Sequence, residues 1–111
     1  MEIDTKQLKR CDLITVKGRI DLSTVSSLAE AFNAITGAGR YKIILNLGEV
    51  TFLSSAGLGE LVSTQKTCKK LNRGELVLTE VPPRIVDVLE LAGLTTVFKT
   101  FDSDLEAVDS F

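Results

Sequence analysis

Two adjacent serines, Ser54 and Ser55, are the residues of this chain whose position best suits chemistry. They follow residues 42–47, a near-continuous apolar run that is typical of a strand buried on both faces. Apolar residues at helical spacing come after them, namely Leu58, Leu61, Val62, Cys68 and Leu71. The start of a helix carries unpaired N–H groups and partial positive charge, which favour hydroxyls, carboxylates and phosphates. We therefore interpret a hydroxyl at this strand-to-helix junction as a switch.

The simplest role for either serine is that of a helix N-cap, which requires no further function. The residues around the serines are unusually small, since Ala56, Gly59 and Ser63 recur at helical spacing and leave one exposed face almost without side chains. Glycine in a helix costs about 0.5–1 kcal/mol relative to alanine, and here both Gly57 and Gly59 fall within the first turns. The two glycines indicate either room for a partner or tight packing against the sheet, and their spacing leaves both explanations open.

Other kinds of catalytic and ligand-binding site are poorly represented in the chain. Histidine is absent, which excludes triad hydrolysis, Cys-His nucleophiles and histidine-based zinc sites. The serine segment lacks the P-loop lysine, the full GxGxxG spacing and the GxSxG elbow. The carboxylates that a glycosidase would need are scattered, with no tryptophan in the chain to form a sugar platform: Asp21, Glu49, Glu60 and Glu75. We expect no catalytic residues, no metal site and no cofactor.

Asp21 differs from the other carboxylates because it lies in the loop after the second predicted strand. In a parallel-type sheet, that loop can stand beside the Ser55 loop at the carboxyl ends of the strands. The alternative is that Asp21 caps the first helix. Asp21 is therefore a candidate member of the same surface as the serines.

The chain has 111 residues, of which 44% are hydrophobic and 25% charged, a composition typical of one globular domain spanning residues 1–111. A net charge of −2 does not indicate direct binding of nucleic acid, which usually requires a basic surface. No apolar stretch approaches the roughly 20 residues of a membrane helix, and no signal peptide opens the chain. Cys11 and Cys68 are expected to be free core thiols, and a cytoplasmic location without membrane insertion follows by default.

The hydrophobic periodicity predicts an α/β fold with the order ββαβαβα(β)α. We expect a mixed sheet of four to five strands with about four helices packed on it, and the strands flanking the serine helix should be parallel neighbours. A short edge strand is predicted over residues 95–98. Inward-facing residues are predicted in all four helices, and those of the third and fourth are Ile85, Val88, Leu89, Ala92, Leu105 and Val108.

Several segments together resemble one known family. The serine motif is Val50-Thr51-Phe52-Leu53-Ser54-Ser55-Ala56-Gly57-Leu58-Gly59, preceded by Leu45-Asn46-Leu47. Further matching segments are residues 18–21, 91–94, 97–98 and 101–103. These segments resemble the STAS domain, specifically the bacterial anti-sigma factor antagonists, over nearly the whole chain.

This resemblance implies a partner-switching regulator of transcription. Such an antagonist binds an anti-sigma factor, which is a serine kinase of the GHKL type, and so frees the sigma factor. The kinase phosphorylates the motif serine, which corresponds to Ser55, and a PP2C-type phosphatase reverses the modification. The implied partner-binding surface comprises Asp21, Ser54, Ser55, Ala56, Gly57 and Gly59.

One position departs from the family pattern. The family usually has aspartate immediately before the phosphorylated serine, and this chain has Ser54 there. Ser54 keeps open the alternative of a phosphorylation-independent STAS scaffold or of a small soluble subunit of a lipid-transport ATPase.

Overall fold

A five-stranded mixed sheet forms the centre of the computed structural model, which describes all residues from 1 to 111. The strands lie in the order β1-β2-β3-β4-β5 and span Glu2–Gln7, Asp12–Ile20, Lys42–Leu53, Glu75–Thr79 and Thr100–Phe101. β1 is antiparallel to β2, and every other neighbouring pair is parallel. The carboxyl ends of β2, β3 and β4 therefore meet at one edge of the sheet.

Four α-helices connect or follow these strands. They are α1 (Val25–Gly37), α2 (Ser55–Lys69), α3 (Pro83–Leu91) and α4 (Asp104–Ser110), and a short 3-10 turn over Lys70–Asn72 follows α2. α3 begins with a proline in its first turn, where the missing N–H costs nothing. The Ser103 hydroxyl caps α4 by accepting a hydrogen bond from the Glu106 N–H at 3.2 Å. The predicted α/β class and element order are confirmed.

The sheet separates a large core from a small one because side chains alternate between its two faces along each strand. In β3, Ile43, Leu45 and Leu47 join the 18-residue core formed with α1, α2 and α3. Ile44 points the other way and packs with Cys11, Val77 and Ala107 beneath α4. Three helices thus cover one face of the sheet, and α4 covers part of the other.

A buried glutamine of α2 completes the hydrogen bonding of β4 where β5 is too short to do so. The Gln65 side chain is 3% exposed. Its Oε1 accepts from the Leu76 N–H at 2.7 Å, and its Nε2 donates to the carbonyls of Leu76 and Val97, each at 3.0 Å. β5 pairs only with Leu78 and Thr79, so Gln65 takes the place of the missing strand residues.

Two predicted strand boundaries were wrong. β3 continues to Leu53, beyond the strand predicted from the apolar run over residues 42–47, because β2 is long enough to pair with it as far as Leu53. The predicted edge strand at residues 95–98 is a turn instead, closed by a hydrogen bond from the Val97 N–H to the Leu94 carbonyl. Phe98 enters the main core, and the edge strand follows at Thr100–Phe101.

Three residues predicted to face inward are exposed. Leu71 lies beyond the end of α2 with a φ of 60°, which turns its side chain out of the helical stripe. Ala92 is the C-cap of α3 and lies outside the helix proper. In α4 the buried residue is Ala107, and this orientation leaves Leu105 in solvent.

No helix in the structure combines the length and the apolar character needed to cross a bilayer.

Candidate functional site

The loops that follow β2 and β3 lie side by side. Ile20 and Leu53, the last residues of these two strands, are partners in the parallel register. The chain remains paired one residue further, because the Ser54 N–H donates to the Ile20 carbonyl at 2.9 Å. The Asp21 loop and the two serines therefore share one edge of the sheet.

Ser54 is the N-cap of α2. Its backbone is extended (φ −81°, ψ 172°), and its hydroxyl oxygen accepts from the Gly57 N–H at 3.2 Å. Its carbonyl accepts the first helical hydrogen bond, from the Leu58 N–H at 2.9 Å. The Ser54 hydroxyl is half-buried and already serves the fold.

Ser55 is the first residue of α2 and is exposed. Its hydroxyl makes no hydrogen bond within the chain, in contrast to that of Ser54. The first turn of α2 contains no acidic residue. The unpaired N–H groups and the positive end of the helix dipole are therefore available to a negative group attached at Ser55.

The small residues around the serines have two different roles. A Cβ atom on Gly57 would lie 2.6 Å from Leu53 Cδ1 and 2.8 Å from Ile20 Cγ2, whereas one on Gly59 would meet nothing within 4 Å. Gly57 is buried, Ala56 is half-buried and Gly59 is exposed. Gly57 lets α2 pack against the ends of β2 and β3, and its assignment to the partner-binding surface stays a prediction.

Asp21 organises the loop between β2 and α1. Its Oδ1 accepts from the Ser23 N–H at 3.0 Å and from the Ser23 hydroxyl at 2.7 Å. The hydrogen bond from the Ser23 hydroxyl is the main cause that lowers the pKa of Asp21, so the carboxylate stays ionised. Its backbone carbonyl accepts from the N–H groups of Thr24 and Val25 at the start of α1. Asp21 thus holds the turn before α1, and it remains accessible to a partner.

Two apolar side chains beside the serines were not identified from the sequence. Leu22 is 82% exposed and Phe52 is 38% exposed. The Arg19 guanidinium lies over the Phe52 ring, 4.3 Å from its centroid. The Nε atom of Arg19 is 3.4 Å from Asp21 Oδ2. The sequence signal that could have indicated an exposed Leu22 is its position between Asp21 and Ser23, in a predicted loop where a leucine has no core to pack against.

The site can bind a partner or be modified, but it assembles no catalytic group. Glu49 pairs with Lys17 at 3.4 Å and Glu75 pairs with Lys99 at 3.1 Å, so two of the scattered carboxylates belong to surface ion pairs. Desolvation raises the pKa of Glu60, which is half-buried in α2. No group of three or more Cys, Asp or Glu side chains could hold a metal ion, and both cysteines are buried free thiols.

Comparison with known proteins identifies the family. The family model described as the STAS domain matches residues 2–107. The anti-sigma-B factor antagonist of Staphylococcus aureus is 32% identical over 94 residues, which cover 85% of this chain and 86% of that protein. An antagonist acts by binding, so such a relative is a regulatory binding protein rather than an enzyme.

Solved structures show the same fold. An anti-sigma factor antagonist from Mycobacterium paratuberculosis superimposes with a TM-score of 0.87 at 23% identity, covering 98% of this chain and 92% of that one. The Bacillus cell fate determinant SpoIIAA in its phosphorylated form gives a TM-score of 0.77 at 21% identity, covering 98% of each chain. With the family model matched from residue 2 to residue 107, this chain belongs to the STAS domain family, among the anti-sigma factor antagonists.

Proposed function

We propose that the chain, as one STAS domain over residues 1–111, is a cytoplasmic anti-sigma factor antagonist controlled by phosphorylation of Ser55. The observation that carries this proposal is the difference between the two serines. The Ser54 hydroxyl is occupied in capping α2, whereas the Ser55 hydroxyl is exposed and without a partner. Ser55 is thus the hydroxyl that a kinase can reach without unravelling the helix.

The partners in this proposal are an anti-sigma factor that is also a GHKL-type serine kinase and a PP2C-type phosphatase. The name of the Staphylococcus aureus relative, an anti-sigma-B factor antagonist, supports an anti-sigma factor as the bound protein. SpoIIAA, which has the same fold, exists in a phosphorylated form, so this fold can carry a phosphate. Ser55 would be a substrate of the kinase rather than a catalyst.

The proposed docking surface consists of exposed and half-buried residues around the junction. It comprises Asp21, Leu22, Phe52, Ser54, Ser55, Ala56 and Gly59. Leu22 and Phe52 offer apolar contact area, and Ala56 and Gly59 allow the backbone of a partner to approach α2 closely. The surface therefore suits a protein partner better than a small ligand.

The switch follows from the charge of a phosphoserine. A phosphate adds about −1.5 to −2 charges and three acceptor oxygens at Ser55. In the free protein the start of α2 accommodates this charge, but in a docked interface the phosphate must lose its water. A penalty of about 3 kcal/mol would weaken partner binding more than a hundredfold without any change of fold.

A kinase assay with intact-mass detection tests the proposal. We expect the chain, incubated with ATP and the kinase encoded nearest to its gene, to gain one phosphate that maps to Ser55. Ser55→Ala should gain none. Ser54→Asp should still be phosphorylated, because aspartate also caps helices and removes only the second hydroxyl. A phosphate on Ser54 in the wild-type chain would contradict the assignment of Ser55.

The same assay distinguishes the phosphorylation-independent alternatives. No phosphate on the wild-type chain, together with co-purification of transporter subunits or of other STAS proteins, would favour a scaffold or a transporter subunit. Binding of the unmodified chain to an anti-sigma factor, weakened by the phosphate, would favour the switch.

A further inference from the structure

A basic pocket lies at the end of the sheet opposite Ser55, where the parallel strands begin. It has a volume of about 200 Å³. Four cationic side chains and one carboxylate line it, and its residues are Arg10, Asp12, Gly39, Arg40, Tyr41, Lys42 and Arg73. Such an accumulation of positive charge is notable in a chain whose net charge is −2. The pocket lies outside the docking surface and is not used by the proposed switch.

Arg40 is fixed in the pocket by the backbone. Its Nε donates to Asp12 Oδ1 at 2.5 Å, and its Nη2 donates to the carbonyls of Leu8 and Cys11 at 2.7 and 3.1 Å. Nη1 makes no hydrogen bond within the chain. The Asp12 carboxylate is buried and paired with Arg40, so it repels an incoming anion less than a free carboxylate would.

Arg73 is held in a similar way on the other side of the pocket. Its Nε and Nη2 donate to the carbonyls of Lys70 and Thr67 at 3.0 and 3.2 Å, and Nη1 makes no hydrogen bond within the chain. The guanidinium stacks on the Tyr41 ring, 3.7 Å from its centroid. Gly74 makes this contact possible, because a Cβ atom there would overlap the Tyr41 carbonyl. Two guanidinium groups are therefore oriented before any ligand arrives.

Arg10 and Lys42 supply the remaining positive charge. Both side chains line the pocket and form no ion pair or hydrogen bond with the chain. Lys42 is exposed at the first position of β3, opposite Glu75 in the register, but Glu75 is paired with Lys99. These two cations are free to move onto a bound anion, while Arg40 and Arg73 define its position.

We propose that this basic pocket binds a small multivalent oxyanion of the phosphate type. Fixed guanidinium groups suit phosphate oxygens because each keeps an Nη1 without a partner in the chain to donate a charge-assisted hydrogen bond, and little side-chain entropy is lost on binding. Pockets for drug-sized ligands measure roughly 300–1,000 Å³, so the volume of about 200 Å³ restricts the ligand to a small anion.

Calorimetric titration of the full chain with pyrophosphate and with inorganic phosphate tests the proposal. The titrations are made at constant ionic strength, because exposed charges are screened by salt. We expect pyrophosphate to bind with a dissociation constant below about 1 mM, which two or three charge-assisted hydrogen bonds supply. Chemical shifts in a ¹⁵N spectrum should change around residues 10, 39–42 and 73 only.

Two variants and a matched control make the test specific. Arg10→Gln and Lys42→Gln each remove a cation that has no structural partner, and each should weaken pyrophosphate binding about tenfold without changing the melting temperature. Lys17→Gln removes the same charge from an exposed ion pair with Glu49 outside the pocket and should bind as the wild type does.

Three results would overturn the proposal. The first is the absence of pyrophosphate binding at millimolar concentration. The second is equal weakening in Lys17→Gln, which would mean that only the overall charge matters. The third is displacement of pyrophosphate by equimolar chloride, which would mark the pocket as a place for an adventitious ion only.

Discussion

Ser54 and Ser55 have the same side chain, but the start of α2 separates them. Ser54 has extended backbone and turns its hydroxyl toward the Gly57 N–H, while Ser55 is already helical and turns its hydroxyl to solvent. The helix boundary therefore determines which hydroxyl serves the fold and which is free for modification. The loss of the family's usual aspartate at position 54 leaves the cap intact, because serine caps a helix as well as aspartate does.

The two glycines of α2 should respond in opposite ways to alanine. Gly57→Ala should lower the free energy of unfolding by about 1–3 kcal/mol, because its Cβ would be forced against Leu53 and Ile20. Gly59→Ala should raise it by about 0.5–1 kcal/mol, because Gly59 is exposed and alanine favours the helix. Urea denaturation of both variants measures the difference. Equal effects of the two substitutions would show that helix propensity alone governs this turn.

Cys68 should make the free energy of unfolding decrease as the pH becomes alkaline. Burial raises the pKa of this thiol from 9.0 to about 11. A raised pKa in the folded state contributes stability that is complete below the unfolded pKa of 9.0 and is lost as the pH rises toward 11. The difference in unfolding free energy between the wild type and Cys68→Ala should therefore shrink by about 2 kcal/mol from about pH 8 to about pH 10.5.

Comparing the variant with the wild type isolates the thiol, because the two proteins share every other side chain. Chemical denaturation at several pH values gives the two curves. A constant difference across this pH range would mean that the Cys68 thiolate is tolerated in the core.

At the scale of the elements, α2 connects the docking surface to the rest of the fold. Its first turn presents Ser55, and in its third turn Gln65 replaces the strand partner that β4 lacks beside Leu76. Gln65 also holds the carbonyl of Val97 in the turn before β5. The helix that presents Ser55 is thus fixed to the sheet by buried hydrogen bonds as well as by apolar contacts.

Replacing Gln65 should test this attachment. Gln65→Leu keeps the apolar contacts but leaves the buried N–H and carbonyl of Leu76 and the carbonyl of Val97 without partners, and we expect a loss of about 2–4 kcal/mol in unfolding free energy. Hydrogen exchange at the Leu76 amide should accelerate. The control is Thr67→Ala, an exposed position in the same helix, which should change stability by less than about 0.5 kcal/mol. Unchanged exchange at Leu76 would contradict the role of Gln65.

The elements that periodicity predicts well are those whose own residues determine their structure. The alternation in β2, the apolar run of β3 and the stripes of α1 and α3 each reflect a local match between side-chain spacing and backbone geometry. The boundaries that were missed depend on distant partners. β3 extends to Leu53 because β2 pairs with it, and β5 lies at Thr100–Phe101 because Phe98 is drawn into the core.

The same distinction holds for the candidate site. Position in the chain was enough to place Ser54, Ser55 and Asp21 at one edge of the sheet. The exposure of Leu22 and Phe52 could not be predicted, because it depends on how two separate strands end beside each other. The burial of Gly57 likewise depends on Ile20, which lies far away in the sequence.

At the scale of the whole molecule, the docking surface and the basic pocket lie at opposite ends of the sheet. The molecule measures 30 × 26 × 24 Å, whereas the screening length in physiological salt is about 8 Å. A phosphate on Ser55 therefore acts electrostatically on what touches the docking surface and hardly at all on the basic pocket. The proposed switch is local, and its effect should be confined to partners that cover Ser55.

A glutamate at position 55 should imitate this local effect. Ser55→Glu should weaken binding to the anti-sigma factor by about a hundredfold, because a charge has to be buried in the interface, while the melting temperature stays within about 2 °C of the wild type. Ser110→Glu adds the same charge in α4, on the other face of the sheet, and should bind as the wild type does. Calorimetry with the purified partner measures both affinities.

The comparison of the two glutamate variants identifies the mechanism. If Ser110→Glu weakens binding as much as Ser55→Glu, the partner senses the total charge of the chain, and a docking surface around Ser55 is contradicted. If neither variant weakens binding, charge at Ser55 does not control the partner, and the proposed switch fails although the fold assignment stands. A selective loss in Ser55→Glu requires that the partner covers the start of α2, because only there would the added charge be removed from water.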